Sequence, residues 1–163
     1  MIEEGKHIPL TRSKTNYGFT LIELLIVIAI MCLLLAVAIP NATNAHMNAT
    51  ETVVMREVQT IQQGQTQYQS QFGDYASTLA ELGPPANGVA GPAGAKLIPG
   101  SLASGEKDGY VFTLHRTAEG YAINANPKSF GKNGRRTFYL DQDGILHQNW
   151  GPAPATAASP ELK

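Results

Sequence analysis

Apolar residues are concentrated in one run near the start of the chain, from Phe19 to Ile39, in which Thr20 and Glu23 are the strongly polar side chains. A helix over this run would rise roughly 30 Å, which matches the hydrocarbon thickness of a bilayer. A buried core helix is the alternative, but such helices seldom run this long without a polar face. The run therefore predicts a transmembrane helix over residues 19–42.

The polar leader before this run distinguishes the chain from an ordinary secretory precursor. A signal peptide has its small-residue cleavage site after the apolar stretch, whereas here Gly18 precedes the stretch and Pro40 follows it. Lys6, Arg12 and Lys14 in the leader favour a cytoplasmic N-terminus by the positive-inside rule. The rest of the chain is then expected across the membrane.

Glu23 is an acid inside the apolar run, where an unpaired charge is costly and marks a functional candidate. If the bond between Gly18 and Phe19 were cut, the new α-amino group of Phe19 would be a cation one helical turn away. It could pair with Glu23 of the same chain or of a neighbouring subunit, and the latter pairing would set the axial register. The alternative is an interfacial glutamate that reaches the lipid headgroups.

The segment GFTLIELL, which begins at Gly18, resembles the processing and assembly motif of type IV pilins and type II secretion pseudopilins. Pro40 falls where those proteins commonly have a helix-kinking proline. The resemblance implies that a prepilin peptidase removes residues 1–18, that Phe19 is then N-methylated, and that Glu23 is the acid needed for subunit docking. It also implies a type IV pilin-like α+β fold, in which a long N-terminal helix packs against a small antiparallel sheet.

The helix is predicted to continue beyond the membrane run to about Phe72. Pro40 removes one backbone hydrogen bond and is expected to bend or loosen the helix rather than end it. After a first gap, the apolar stripe is spaced by threes and fours, and its members are Met47, Val54, Val58, Ile61, Gln65, Tyr68 and Phe72. The opposite, polar side is predicted to carry Glu51, Arg56, Glu57, Gln62, Gln63 and Gln69. The stripe is expected to pack on the chain's own sheet within a globular domain over residues 43–150.

Residues 73–105 are predicted to be mainly loop. One or two helical turns are expected over residues 76–82, and Pro84 and Pro85 stop them. The stretch 83–105 is rich in glycine, proline and alanine and has no periodicity that supports an element. Two interpretations stay open, a flexible surface connection or, by the resemblance, a segment that contacts neighbouring subunits.

Residues 106–150 are predicted to form a sheet of three or four antiparallel strands. Alternating patterns over 110–115 and 121–125 flank a short turn at 117–120 and predict one hairpin. Residues 136–140 and 145–148 predict a second hairpin. The proline- and alanine-rich residues 151–163 are expected to form a flexible tail.

Charge and cysteine content exclude little. A formal net charge of -1 gives no reason to expect nucleic acid as a partner. Cys32 is the single cysteine, so no intramolecular disulfide can form, and we interpret it as a small apolar packing residue in the membrane helix.

Three further groups of residues have competing interpretations. Asp141 and Asp143 begin a DQDG segment like the start of a calcium loop, but no glutamate closes the loop, so a hairpin turn is favoured. A basic cluster could touch DNA or headgroups, although a solvated loop is favoured, and its members are Lys128, Lys132, Arg135 and Arg136. The histidines lack metal-like spacing, and they include His46, His115 and His147.

No catalytic constellation can be singled out, so we expect a structural protein rather than an enzyme, with no cofactor. The first hypothesis is a subunit of a type IV pilus or pilus-like filament, and a type II secretion pseudopilin is the alternative within that class. A membrane-anchored periplasmic enzyme or binding protein is a third hypothesis. The resemblance implies self-assembly, an inner-membrane platform and a cytoplasmic ATPase as partners. It also implies a single pass through the bacterial inner membrane, followed by a periplasmic or cell-surface filament.

Overall fold

The computed structural model describes residues 18–162, apart from the side chains of residues 37, 39, 40 and 41. The leader predicted over residues 1–18, with Lys6, Arg12 and Lys14, therefore lies outside the described residues except for Gly18. The chain forms two compact units, Met1–Pro40 and Asn41–Lys163.

Helix α1, Leu21–Phe72, is the predicted long helix and contributes to both units. It continues through Pro40 without ending there, as predicted, although the side chain of Pro40 is outside the described part of the chain. Gly73 ends it, because its φ of 81° turns the backbone left-handed while its N–H donates to the Gln69 carbonyl at 2.8 Å.

A five-stranded antiparallel sheet with the order β1-β2-β3-β4-β5 follows two short helices. The elements after α1 are α2 Leu79–Leu82, α3 Gly100–Ala103, β1 Glu106–Lys107, β2 Tyr110–Arg116, β3 Tyr121–Pro127, β4 Thr137–Asp141 and β5 His147–Asn149. The predicted α+β class, with a long helix and an antiparallel sheet, is confirmed. Both predicted hairpins form, with Tyr110 opposite Pro127 in the first and Thr137 opposite Asn149 in the second.

Strand β1 exceeds the predicted count of three or four strands. Two residues are too few to show an alternating pattern, so periodicity could not reveal this strand. A usable signal was nonetheless present, because Asp108 and Gly109 form the two-residue turn into β2 with φ of 51° and 77°. Asp-Gly is a preferred pair for a hairpin turn that needs positive φ at both positions.

The predicted stripe on α1 forms the helical side of the core, with two corrections. Its members are buried up to Tyr68, whereas Phe72 is 37% exposed. Glu51, assigned to the polar side, is fully buried and fills the gap between Met47 and Val54. With it, the buried positions follow an unbroken alternation of fours and threes from residue 47 to residue 68. The sheet supplies the other side of the core through Tyr110, Phe112, Ile123, Ala125, Phe138 and Leu140.

The stretch 83–105 contains helix α3, which the absence of periodicity had hidden. Ile98 and Leu102 are buried, and Lys96 N–H donates to the Gly83 carbonyl at 2.8 Å. A Cβ atom at Gly94 would lie 2.5 Å from the Cα atom of Pro85, so the two backbones approach closely enough to require glycine there. The segment is therefore packed against α2 by its backbone.

The prediction of a flexible tail over residues 151–163 is wrong for the described part of it. Gln148 N–H donates to the Pro160 carbonyl at 2.9 Å, and Leu162 N–H donates to the Leu146 carbonyl at 2.8 Å. Ala155 is 1% exposed, and its carbonyl accepts from the Asn124 side chain at 2.9 Å. The tail lies against the sheet because side chains of other strands satisfy its carbonyl groups, which composition could not predict.

Candidate processing and assembly site

Thr20 and Glu23 start helix α1 through reciprocal hydrogen bonds. The Glu23 carboxylate atom Oε2 accepts from the backbone N–H and from the hydroxyl of Thr20, each at 2.8 Å. In return, the Thr20 hydroxyl oxygen accepts from the Glu23 backbone N–H at 3.2 Å. This is a capping box, which satisfies N–H groups that the start of a helix leaves without partners.

This role of Glu23 was not predicted from the sequence, although the pattern Thr-x-x-Glu before an apolar run is its usual signal. Both bonds from Thr20 end on Oε2, and no donor among the described residues is bonded to Oε1. One carboxylate oxygen therefore remains for another cation. The predicted pairing of Glu23 with the amine of a cleaved Phe19 stays a prediction.

The Gly18–Phe19 bond lies just before the helix, because residues 18–20 are outside α1. The Phe19 side chain is 88% exposed, and a Cβ atom at Gly18 would meet nothing within 4 Å. An exposed bond in non-helical backbone is accessible to a peptidase. Packing against the described residues therefore sets no requirement for glycine at position 18.

The first part of α1 has an exposed apolar surface. Its large exposed hydrophobic side chains are Leu21, Ile22, Leu24, Leu25, Ile26, Val27, Ile28, Ile30, Met31, Leu33, Leu34 and Leu35. Cys32 lies among them and is also exposed. A contiguous apolar surface of this kind marks contact with a membrane or with other protein surfaces.

Two predicted features of this helix are still predictions. Among the described residues, no helix combines the length and the apolarity needed to cross a membrane. The transmembrane span over residues 19–42 and the part of Pro40 in assembly both await an experiment.

Asp141 and Asp143 lie in the turn between β4 and β5. Asp141 Oδ1 accepts from the Asp143 N–H at 3.1 Å, and Gly144, with φ of 76°, donates its N–H to the Asp141 carbonyl at 3.1 Å. These bonds are those of the hairpin turn that the sequence favoured. In the described part of the chain, no three His, Cys, Asp or Glu side chains group as metal ligands do. Calcium binding by the two aspartates is untested.

The basic cluster is mostly paired within the chain, which neither of its interpretations predicted. Glu51 Oε2 accepts from Arg136 Nε at 2.7 Å, and Glu51 Oε1 accepts from the backbone N–H of Arg135 at 2.6 Å. Lys128 pairs with Glu106 at 2.5 Å, while Lys132 is exposed. Three of the four basic residues therefore have partners within the chain. Among these partners, Glu51 is the buried one, and it joins α1 to the start of β4.

The three histidines within residues 18–162 do not come together. His147 is buried, and its Nδ1 lies 2.7 Å from the Ser159 carbonyl of the tail, whereas His46 and His115 are exposed. The structure thus gives His147 a role in holding the tail.

Comparison with known proteins gives a family match and a match to one characterised relative. Residues 13–39 match the family described as the prokaryotic N-terminal methylation motif. The chain is also 48% identical over 65 residues to the type IV wide pilus major component PilA4 of Thermus thermophilus. That match covers 40% of this chain and spans 50% of the relative's length. No solved structure matches the chain.

Proposed function

We propose that this chain, whose residues 13–39 match the prokaryotic N-terminal methylation motif, is a type IV pilin-like protein and the structural subunit of a type IV pilus or pilus-like filament. In this proposal a prepilin peptidase cuts between Gly18 and Phe19, Phe19 is N-methylated, and the mature chain polymerises through the first part of α1. The similarity to a protein named as a pilus component supports the pilus over the secretion pseudopilus.

One observation carries the proposal. The exposed Gly18–Phe19 bond stands directly before a helix whose capping acid lies within an exposed apolar surface. The capping box would serve an anchor helix too, but a helix used only as an anchor would have no use for a cleavable bond two residues before its first turn, nor for a carboxylate oxygen left open to a cation. Both features have a use if the helix is released from its leader and packed among its copies.

Cleavage would change the charge next to Glu23. The Phe19 nitrogen is part of a peptide bond in the precursor and becomes an ammonium group when that bond is hydrolysed. Thr20 remains on the mature chain and keeps its two bonds to Glu23 Oε2, which leaves Oε1 to receive the ammonium of the same or a neighbouring chain. Such a pair is strong where water is excluded, and it would fix the axial register of packed helices.

Assembly by this route needs partners that the chain does not supply. Apolar contacts with lipid and with other helices are similar in strength, so specificity has to come from polar pairs such as the one at Glu23. Removal of the helix from a bilayer requires work, and we therefore include an inner-membrane platform and a cytoplasmic ATPase in the proposal.

The test compares Glu23→Ala and Glu23→Gln with the wild-type full chain in its host. Sheared filaments are quantified, and the mass of the N-terminal peptide reports cleavage and methylation. We expect a methylated N-terminus at Phe19 in wild-type filaments and loss of filaments in both variants, with cleaved subunits retained in membranes. Filaments with an intact leader would contradict processing, and abundant filaments from both variants would contradict the role of Glu23.

Electron microscopy separates the two kinds of filament. A pilus subunit is recovered in filaments sheared from the cell surface and identified there by peptide mass, whereas a secretion pseudopilin is not expected on the surface at its natural expression level. The anchored enzyme or binding protein makes no filament of either kind.

A further inference from the structure

The unit Asn41–Lys163 presents an exposed tryptophan at one end, here called the Trp150 end. The Trp150 side chain is 63% exposed, and the Arg136 guanidinium lies over its ring at 4.9 Å from the centroid. Arg136 is in turn held by the buried carboxylate of Glu51. One face of the indole is thus fixed by a cation while the rest is free for contact.

A groove with aromatic walls lies at what we call the Tyr75 end. It is open, measures about 600 Å³, and is lined in part by Tyr68, Phe72, Tyr75, Glu81 and Arg116. The rings of Tyr68 and Phe72 pack at 4.7 Å, so the exposed part of Phe72 belongs to a fixed aromatic wall. Aromatic walls with a few polar groups suit a large flat apolar side chain.

These two surfaces lie at opposite ends of the unit. Glu51 of α1 contacts the residues before β4 at the Trp150 end, whereas Phe72 of α1 lines the groove. Glu51 and Phe72 are 21 positions apart, which corresponds to about 30 Å along a helix.

The charges of the two ends are complementary. At the Trp150 end Lys132 is exposed and is the member of the basic cluster whose side chain has no partner among the described residues, since Lys128, Arg135 and Arg136 have partners within the chain. The groove has Asp74 and Glu81 in its lining, and the exposed Glu119 lies in the turn that follows Arg116. Asp74 also binds Arg116 through two oxygens, at 2.6 and 2.8 Å, which fixes that wall. An exposed lysine at one end and carboxylates at the other favour contact of unlike ends between copies.

We propose that the Trp150 end of one copy docks onto the Tyr75 end of another, with the Trp150 indole in the aromatic groove. The proposal rests on the proposed function, because a filament built by one repeated operation points all subunits the same way and brings unlike ends together. Trp150 is the anchor, since large buried aromatic side chains dominate such contacts. The basic cluster and the acids around the groove orient the contact.

Paired cysteines test the contact without removing its aromatic or charged residues. In a Cys32→Ala background, Gly151→Cys stands beside Trp150, and Ser77→Cys stands in the groove lining. Ordinary van der Waals space is available at Gly151, where a Cβ would lie 3.5 Å from Asn149 Nδ2. Sheared filaments of the full chain are treated with a short bifunctional maleimide and run on denaturing gels.

We expect a ladder of cross-linked subunits from the pair Gly151→Cys and Ser77→Cys and none from either single variant. The matched control pairs Gly151→Cys with Thr113→Cys in place of Ser77→Cys. Thr113 is an exposed residue in the middle of β2, and this control pair should give no ladder. Filaments that give no ladder, or an equal ladder with the control pair, overturn the end-to-end contact. If even the wild-type chain makes no filament, the proposed function itself fails, and this inference fails with it.

Two further comparisons apply if the paired cysteines themselves prevent assembly. Trp150→Ala should lower the yield of sheared filaments about tenfold, whereas Ile145→Ala, at another partly exposed apolar residue, should leave it within about twofold. Lys132→Glu and Glu119→Lys should each lower the yield, and the double reversal should recover it. Equal yields from Trp150→Ala and the wild type, or no recovery in the double reversal, contradict the proposal.

Discussion

The carboxylate of Glu51 is fully buried and lies in the contact between α1 and the start of β4. Its two oxygens accept from the Arg136 side chain and the Arg135 backbone, and Arg136 also donates to Gln148 Oε1 at 3.0 Å. A buried charge is tolerated only when it is paired and hydrogen-bonded, and this one meets both conditions.

Removal of this carboxylate should therefore destabilise the unit Asn41–Lys163. We expect Glu51→Ala to lower the free energy of unfolding by about 3 to 5 kcal/mol, because it leaves the Arg136 charge and the Arg135 N–H without their partner. Urea unfolding of the full chain in detergent, followed by circular dichroism, measures the change. Gln63→Ala, an exposed change on the same helix, serves as the control and should cost less than about 0.5 kcal/mol. Similar midpoints for the two variants would show that Glu51 does not hold the sheet.

Because of Tyr121, the free energy of unfolding is expected to depend on pH in the alkaline range. Burial, and then the nearby Tyr75 and Asp141, raise the pKa of its phenol to about 12, compared with about 10 in the unfolded chain. Between these values the folded state holds a proton that the unfolded state has lost. The free energy of unfolding therefore falls as pH rises through this window, by about 2 to 3 kcal/mol in all.

The measurement is the urea midpoint at pH of about 9 and about 11 for the wild type and for Tyr121→Phe. The wild type should lose about 1 kcal/mol more than the variant between these values, because only the wild type carries this phenol. The other tyrosines are present in both proteins, so their contribution cancels in the comparison. An equal loss in the two proteins would contradict the assignment to Tyr121.

At the scale of elements, the glycine- and proline-rich segment after α2 is ordered by close backbone contact. Gly91 and Gly94 form an isolated antiparallel bridge, with backbone bonds of 3.0 and 3.1 Å between them. Gly94 lies against Pro85, whereas a Cβ at Gly91 would meet nothing within 4 Å.

This difference gives a matched pair of variants. Gly94→Ala should destabilise the unit by about 1 to 3 kcal/mol, because the added methyl group forces the segment away from Pro85. Gly91→Ala should change stability by less than about 0.5 kcal/mol. Urea midpoints, together with the rate of limited proteolysis within residues 83–99, report both effects. Faster cleavage of the Gly91 variant than of the Gly94 variant would contradict the close approach.

The tail is the second element that packing orders. Ala155→Glu places a charge at a buried position and should release the tail, whereas Ala157→Glu is exposed and should not. Hydrogen exchange of the Gln148 and Leu162 amides, which donate to Pro160 and Leu146, should accelerate at least about tenfold in the first variant. Unchanged exchange in Ala155→Glu would mean that the tail is held by other contacts.

At the scale of the whole molecule, charge is separated although the net charge is only -1. The end-to-end contact proposed above brings the exposed Lys132 of one copy near the acids around the groove of the next. Such exposed pairs are screened by salt, with a Debye length of about 8 Å at physiological ionic strength.

Filaments should consequently shed subunits as sodium chloride rises from about 0.05 M to about 0.5 M, because the end-to-end attraction is screened. Sedimentation after dilution into each salt concentration measures the polymer fraction. A filament of Lys132→Gln and Glu119→Gln, which lacks both exposed charges, should be less sensitive to salt. A steeper loss in that variant than in the wild type would contradict an electrostatic contribution from this pair.

The sequence by itself determined the features that depend on local order along the chain. The apolar run, Gly18 with Phe19, and the threes and fours of the later helix predicted α1, because neighbours in a helix are neighbours in sequence. The alternating residues and their turns predicted both hairpins for the same reason. Even the capping box at Thr20 and the Asp108–Gly109 turn were readable locally, although both were missed.

Only the tertiary structure decided which polar groups are buried and what holds the segments without a pattern. From the sequence, Glu51 is predicted to be a surface residue. It is buried because the fold places Arg136, 85 positions later in the sequence, beside it. From the sequence, the tail is predicted to be flexible. It is held because Asn124 and the edge of β5 donate hydrogen bonds to its carbonyl groups. In both cases the stabilising partner lies far away in sequence, and burial of a polar group becomes favourable only once folding supplies that partner.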